Sequence, residues 1–512
     1  MAIVVSQQDP RFETLKSGHN LRWPEDSHDA AGRIYLCEDA GEVAEALQQA
    51  VSAGQRPTVR SGAHCYEDFV VNNPGGVILD LSLLTGAHRP VGQAAFRIAP
   101  GTQLWGAYTD LYKRYGCTIP AGTCGTVGVG GHICGGGYGL LSRLYGLSCD
   151  WLTAVDIFTV DAKGKVVART VDATHDPDLF RACCGAGGGN FGIITSYIFD
   201  KLPPAPKEVV QAHMLFKWAD VTEERFVRLL TSFGRYWETR GQDPDTWGIF
   251  AVISLRHAVN GTFGMTVQFL NSDGTCSDLA LLEEYLNQFS ACAGITTATR
   301  AATPHGSNHA AVAESGDGSE LCVGSYTVRR REWFLATAEE AGGPGVSRAK
   351  YKSAYFKRGF TEPEARCMYK HLHRSLPGVD MVGAVIEIDS YGGAINRREF
   401  IKSTAVCQRS SVIKIQPMAF WRDTEYDGVY SQWLRDFYTE VFSGPDADSQ
   451  HPGSPYPSNR HDGCYINYPD KDMLAFDYWS KLYYGDLYPF LQDVKKRYDP
   501  NNIFHHAMSI RI

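Results

Sequence analysis

Gly122-Thr-Cys124-Gly-Thr-Val-Gly-Val-Gly-Gly-His132-Ile-Cys134-Gly-Gly-Gly-Tyr138-Gly139 is the segment on which the fold turns. Nine of its eighteen residues are glycine. Each glycine gives up side-chain packing and loses more backbone entropy on ordering than any other residue. That cost is recovered where backbone passes close to a ligand and turns N–H groups toward anionic oxygens. A dinucleotide pyrophosphate is the usual beneficiary. A flexible linker is the competing reading, but linkers lack the interleaved Val127, Val129, Ile133 and Tyr138.

Outward from this loop the pattern is α+β. Residues 40–54 place Val43, Leu47 and Val51 at helical spacing. RPTVRSG, GVILDLS and AFRIAPG follow as short strands between glycines, and Trp105 to Tyr115 reads as a helix. Beyond the loop, LTAVDIFTVD and VVART flank the turn Ala162-Lys163-Gly164-Lys165, predicting a hairpin. No regular βαβ alternation appears. Three prolines in four residues, Pro203, Pro204 and Pro206, mark a boundary. From there to about residue 455, amphipathic helices alternate with WGIFAVISLR, GTFGMTVQFL and GAVIEIDSYGG. This predicts an antiparallel sheet with helices on one face. The Pro/Ser/Gly/Asp-rich stretch 446–462 reads as a surface loop returning the chain to the first lobe. The expected organisation is therefore 1–200, 201–455 and a returning segment 456–512.

Bulk properties exclude several classes. With 512 residues, 44% hydrophobic and 21% charged, the chain suits a multi-lobed globular protein. A net charge of −8 argues against a general nucleic-acid binder, and the run Arg329, Arg330, Arg331 reads as a solvated face. No stretch approaches the ~20 apolar residues of a membrane span. MAIVVSQQDPRF has no basic n-region, so the expectation is a cytoplasmic protein. The 14 cysteines form no CxxC pair, and most are expected as reduced thiols. Cys65, Cys134 and the Cys183-Cys184 pair read as packing. No HExxH, GxSxG or GxxxxGK[ST] occurs, and no metal is expected. The sequence leaves monomer and homodimer open.

Two further clusters stand out. Gly187-Gly-Gly189-Asn-Phe-Gly192 has the spacing of a dinucleotide fingerprint, but IITSYIFD after it reads as a strand where the fingerprint needs a helix. It is better read as a second backbone turn beside the same cofactor, bringing in Gly192 and Ile193. Arg60-Ser61-Gly62-Ala63-His64-Cys65-Tyr66-Glu67-Asp68 is the other. Taken alone, a histidine in a loop is more often structural than catalytic.

Arg60-Ser-Gly-Ala-His64 resembles the R-S-G-G-H signature of the FAD-linked oxidases related to vanillyl-alcohol oxidase. Cys124-Gly-Thr-Val-Gly-Val-Gly-Gly-His132 resembles the C-P-T-V-G-x-G-G-H of their berberine-bridge subgroup. Tyr465-Ile-Asn-Tyr468-Pro-Asp470 and Lys496-Arg-Tyr-Asp499-Pro-Asn-Asn-Ile-Phe504 match the subgroup's Y-x-N-Y-x-D and K-x-x-Y-D-P-x-N-x-F. The four motifs keep family order from residue 60 to residue 504. HCYEDFV, TCGTVGVGGHICGGGYGLLSR and FHHAMSI are most similar to bacterial secondary-metabolite oxidases of the glycopeptide hexose oxidase and aclacinomycin oxidoreductase kind. Two departures are Ala63 for the second Gly and Gly125 for the Pro. Both are small, so neither is expected to block cofactor attachment.

The resemblance implies a PCMH-type FAD-binding domain and FAD held through two covalent bonds, 8α-histidyl from His64 and 6-S-cysteinyl from Cys124. Around the flavin it implies Arg60, Ser61, Gly62, Ala63, Gly122, Thr123, Val127, Gly128, Gly130, Gly131, His132, Gly135, Gly136, Tyr138, Gly139, Asn467 and Tyr465. It implies hydride transfer from a substrate C–H to flavin N5, with Tyr468 as base and Tyr465 beside it. Tyr138, Tyr391 and Asp389 are the implied supporting residues. A free tyrosine has a pKa of about 10, so the expectation is that nearby donors or the electron-poor flavin lower that of Tyr468. Val127, three residues after the cysteine, stands where the family gates oxygen, and valine there implies an oxidase yielding hydrogen peroxide. Two substrate readings remain: an alcohol or hemiacetal carbon of a sugar or glycosylated natural product, or oxidative ring closure on an alkaloid or polyketide.

Overall fold

The computed structural model describes residues 1–292, 326–342 and 345–512. Residues 293–325 of the expected 201–455 lobe lie outside these ranges. Among the described residues, no helix is long and apolar enough to cross a membrane.

Among the described residues, three sheets organise the chain. The first has the order Ile3–Ser6, Arg33–Leu36, Val77–Asp80, Pro57–Arg60. Arg33–Leu36 and Pro57–Arg60 both run parallel to Val77–Asp80. Helix Ala40–Ser52 makes the crossover. Asp39 caps it by accepting from the Glu42 amide at 2.9 Å, and Val43, Ala46, Leu47 and Ala50 form its buried stripe. This single parallel crossover is not visible in the sequence alternation, because its strands are only four residues long.

The second sheet is antiparallel, with the order Ala87–His88, Phe96–Ile98, Ile193–Phe199, Ala154–Val160, Val166–Asp172. The expected hairpin is its edge pair. Ile193–Phe199 directly follows Gly192, which removes the helix a dinucleotide fingerprint requires.

The third sheet is an eight-stranded antiparallel layer spanning residues 208–421. Its register aligns Val252, Asp389 and Lys414 in one cross-strand row. The next rows are Ser254, Glu387, Gln416 and Arg256, Val385, Met418. Strand alternation puts these rows on one face. The opposite face carries Ala251, Ile253, Leu255, Ile386, Ile388 and Ile415, all buried, under helices Glu223–Arg240, Glu362–Leu372 and Asp427–Val441. Burying each such side chain contributes about 1.5–3 kcal/mol. Helix Glu362–Leu372 starts with a reciprocal cap, Thr361 with Glu364. The run Arg329–Arg331 lies in strand Tyr326–Glu332, where Arg330 pairs with Glu208 and Arg331 with Glu339.

Candidate functional site

The polar face of the large sheet looks onto the glycine loops across one continuous cavity of ≈ 1660 Å³. Its cofactor side begins where strand Pro57–Arg60 ends. Arg60 is buried and committed to Asp80 at 2.6 Å and to the carbonyls of Leu15 and Ser17. It therefore anchors the loop that follows.

That loop interlocks with the glycine-rich segment backbone to backbone. A Cβ on Gly62 would lie 2.2 Å from the Gly128 nitrogen, and one on Gly128 would lie 2.0 Å from Ser61 Oγ. These two glycines thus serve loop-to-loop contact rather than ligand approach. A Cβ on Gly131 meets nothing within 4 Å, and this residue faces the cavity. The expected continuous loop contains the short helix Val129–Cys134. The amides of Val129 and Gly130 already donate to Thr102 and Pro100 carbonyls. Among the described residues, the amides of cavity-lining Ala63 and His64 have no protein acceptor. An anionic pyrophosphate fits such donors. Gly187, Gly188 and Gly189, with Gly192 and Ile193, line the same cavity.

The interlock brings His64 and Cys124 together. His64 Nε2 lies 3.0 Å from Thr126 Oγ1, and Cys124 Sγ lies 3.5 Å from the same oxygen. His19 stacks on the His64 ring at 3.7 Å. Burial, with His19 adding to it, pushes the His64 imidazole down to about 4. It is therefore neutral near pH 7 and keeps a lone pair for bond formation. Neither Thr126 nor His19 was flagged by the sequence; a threonine inside a glycine run carries no signal by itself.

Of the two departures from the resembled motifs, Ala63 carries backbone strain and Gly125 has a local reason. Ala63 sits at φ +60°, the left-handed region that glycine occupies without strain. Ala63→Gly is expected to stabilise the fold by about 0.5–1 kcal/mol, the relieved strain being partly offset by unfolded-chain entropy. Chemical denaturation of the two chains measures it. Gly125 donates its N–H to the Ala341 carbonyl at 3.1 Å, and a Cβ there would approach that oxygen to 2.6 Å. Proline could not donate that bond.

The substrate side is built on a tyrosine cluster. Lys414 Nζ donates to Tyr468 Oη at 3.3 Å and pairs with Asp389 at 2.7 Å. The ammonium also stands 4.2 Å from the Tyr138 ring centroid and 4.7 Å from that of Tyr468. Tyr465 packs edge-on to Tyr468 at 4.9 Å and accepts from the Gly137 amide and Asn467 Nδ2. Asn467 also donates to the His132 carbonyl. Tyr66 stacks on Tyr468 and accepts from Gln416. Burial and the nearby Asp389 push the Tyr468 phenol well above its usual 10. The lowering expected from nearby donors is thus not seen. Lys414 stands at hydrogen-bond distance, but burial and Asp389 outweigh it. Burial also raises Glu387, one row along the sheet, to about 7.

Some predicted positions lie elsewhere. Tyr391 does not line the cavity; it is fully buried, edge-on to Tyr355 and beside Tyr138. Gly135 and Gly136 also lie behind the wall. A Cβ on Gly135 would overlap the Asn467 side chain at 2.0 Å. His132 lines the cavity, but its Nε2 accepts from the Gly122 amide at 3.1 Å, clamping the loop. Ser61, Thr123, Val127 and Gly139 are at the wall as expected from their motifs. Asp470 has a structural task. It is buried and accepts from Lys350 at 2.5 Å and Lys352 at 2.6 Å, while Glu67 takes the other side of Lys350. This network ties the tyrosine segment to the large sheet and to the His64 loop. Lys414 and Gln416 were missed. Their signal is polar alternation in IKIQPMAFW against Ile413 and Ile415.

Residues 31–169 match the FAD binding domain family and residues 464–511 the berberine and berberine-like family. The chain is 34% identical to aclacinomycin-N/aclacinomycin-A oxidase of Streptomyces galilaeus, over 99% of this chain and 90% of that protein. It is 31% identical to hexose oxidase of Chondrus crispus, over 98% and 93%. The crystal structure of a glycopeptide hexose oxidase complexed with teicoplanin superposes with a TM-score of 0.84 at 31% identity, covering 100% of this chain and 99% of that one.

Proposed function

The chain belongs to the berberine-bridge family of FAD-linked oxidases, and from that premise we propose that it oxidises a hydroxyl-bearing carbon of a sugar, free or carried on a natural product. The observation that carries this reading is the Tyr468–Lys414–Asp389 chain at one end of a long groove that is polar near Lys414 and Gln416 and apolar toward Met418 and Phe420. From Lys414 to Phe420, alternate residues of one strand line the cavity, a run of about 20 Å. Glu387, Gln416, Ser254 and Arg256 supply donors and acceptors along it, which suits a hydroxyl-rich, extended substrate. Among the relatives, two hexose oxidases carry names of that chemistry.

We place FAD against the His64 loop and the glycine segment, linked to His64 and Cys124. When bound, it supplies the two-electron acceptor, taking hydride at N5 and passing the electrons to O2 to give hydrogen peroxide. In its phenolate form Tyr468 takes the substrate hydroxyl proton. Lys414 donates to that oxygen and stabilises the phenolate charge before the transfer, and Asp389 fixes Lys414. Val127 lines the cavity three residues after Cys124. Val127→Leu is expected to slow reoxidation by O2 roughly tenfold, a barrier raised by about 1.4 kcal/mol; stopped-flow mixing of reduced protein with O2 reads it.

Substrate class is tested by anaerobic mixing with free hexoses, oligosaccharides and glycosylated polyketides. Bleaching of the yellow absorption, with a carbonyl, lactone or acid as product, is the expected result. A product bearing a new ring would replace this reading with oxidative cyclisation.

A further inference from the structure

We infer that Thr126 readies both flavin-linking nucleophiles, His64 and Cys124, for bond formation; the inference rests on the bicovalent reading above. One oxygen, Thr126 Oγ1, lies 3.0 Å from His64 Nε2 and 3.5 Å from Cys124 Sγ. Among the described residues, Thr126 Oγ1 is the side-chain atom that both nucleophiles share, and the His64 ring also meets the Thr126 backbone. A threonine hydroxyl can accept one hydrogen bond and donate one at the same time. With His64 Nε2–H donating to Oγ1, the imidazole is held in the tautomer whose Nδ1 lone pair is bare. The hydroxyl proton is then left to point at Cys124 Sγ, where it stabilises a thiolate more than a thiol. The stacked His19 ring keeps His64 in that orientation.

The chemistry balances through O2. In the histidyl link, Nδ1 bonds to the methyl carbon of the isoalloxazine, one C–H is lost from that carbon, and the Nε2 proton leaves by way of Oγ1. In the cysteinyl link, Sγ bonds to the ring carbon, and one S–H and one C–H are consumed. In each case the two hydrogens leave as H2O2 from one O2. Thr126 therefore acts as a positioning residue, setting a tautomer on one side and a charge on the other.

The test compares wild type, Thr126→Val and Thr126→Ser, each purified with its flavin. Valine keeps the shape and removes the hydroxyl, and serine keeps the hydroxyl. Intact mass and mapping of flavin-bearing peptides report each link separately. The expected result is both links in wild type and in the serine variant. The valine variant should carry at least about tenfold less doubly linked chain (about 1.4 kcal/mol at each step-limiting barrier) while still holding FAD that acid releases. Double linkage in the valine variant at the wild-type level overturns the inference. So does a serine variant as deficient as valine, or a valine variant that holds no FAD, since either would assign the effect to packing. A wild-type chain with neither link overturns the bicovalent reading itself.

Discussion

Tyr468→Phe is expected to lower kcat by about 10²–10⁴-fold, the range removed with a positioned acid–base group, while FAD stays on the chain. The phenol oxygen is the one atom of the tyrosine cluster that meets the Lys414 ammonium at hydrogen-bond distance, at 3.3 Å. Phenylalanine keeps the stacking with Tyr66 and the edge contact with Tyr465, so the fold and the flavin spectrum should not change. The pH profile adds a sign. Burial and Asp389 hold the phenol well above 10, so it is protonated near neutrality. The basic form grows as pH rises, and wild-type kcat/KM should climb through the alkaline range. That slope should vanish in Tyr468→Phe. An unchanged slope in the variant would move the base elsewhere.

The largest effect on cofactor retention is expected from His64→Ala combined with Cys124→Ala. Each single variant keeps one tether and its yellow colour after denaturation. The double variant should release all of its FAD into the acid supernatant. The structure explains why the two are expected to act separately. They reach the cavity from different loops, one following strand Pro57–Arg60 and the other following helix Leu104–Tyr115, and only the Thr126 hydroxyl joins them. If either single variant loses all covalent flavin, the two bonds form in an obligatory order and not independently.

Much of this was legible in the sequence, for definite reasons. Periodicity located helix Ala40–Ser52 and the hairpin 154–172, because each exposes one face and buries the other. The strand after Gly192 followed from β-branched residues where a helix was required. The parallel crossover in the first sheet was not legible, since four-residue strands carry too little alternation. Lys414 and Glu387 belong to strands separated by 23 or more residues, and only the register Glu387 to Gln416 and Asp389 to Lys414 brings them to one floor. Tyr391 is suggested by its nearness to Asp389, but the strand ends at Ser390 and the ring turns into the core beside Tyr355. The raised Tyr468 phenol depends on burial and on an ion pair from two other strands, which no local motif records.

The most direct measurement of the central claim is the mass of the purified wild-type chain after denaturation. The account predicts the polypeptide plus one FAD less four hydrogens, two lost at each bond, with the flavin mapped to peptides containing His64 and Cys124. A polypeptide of unmodified mass, with all FAD free in solution, would contradict it.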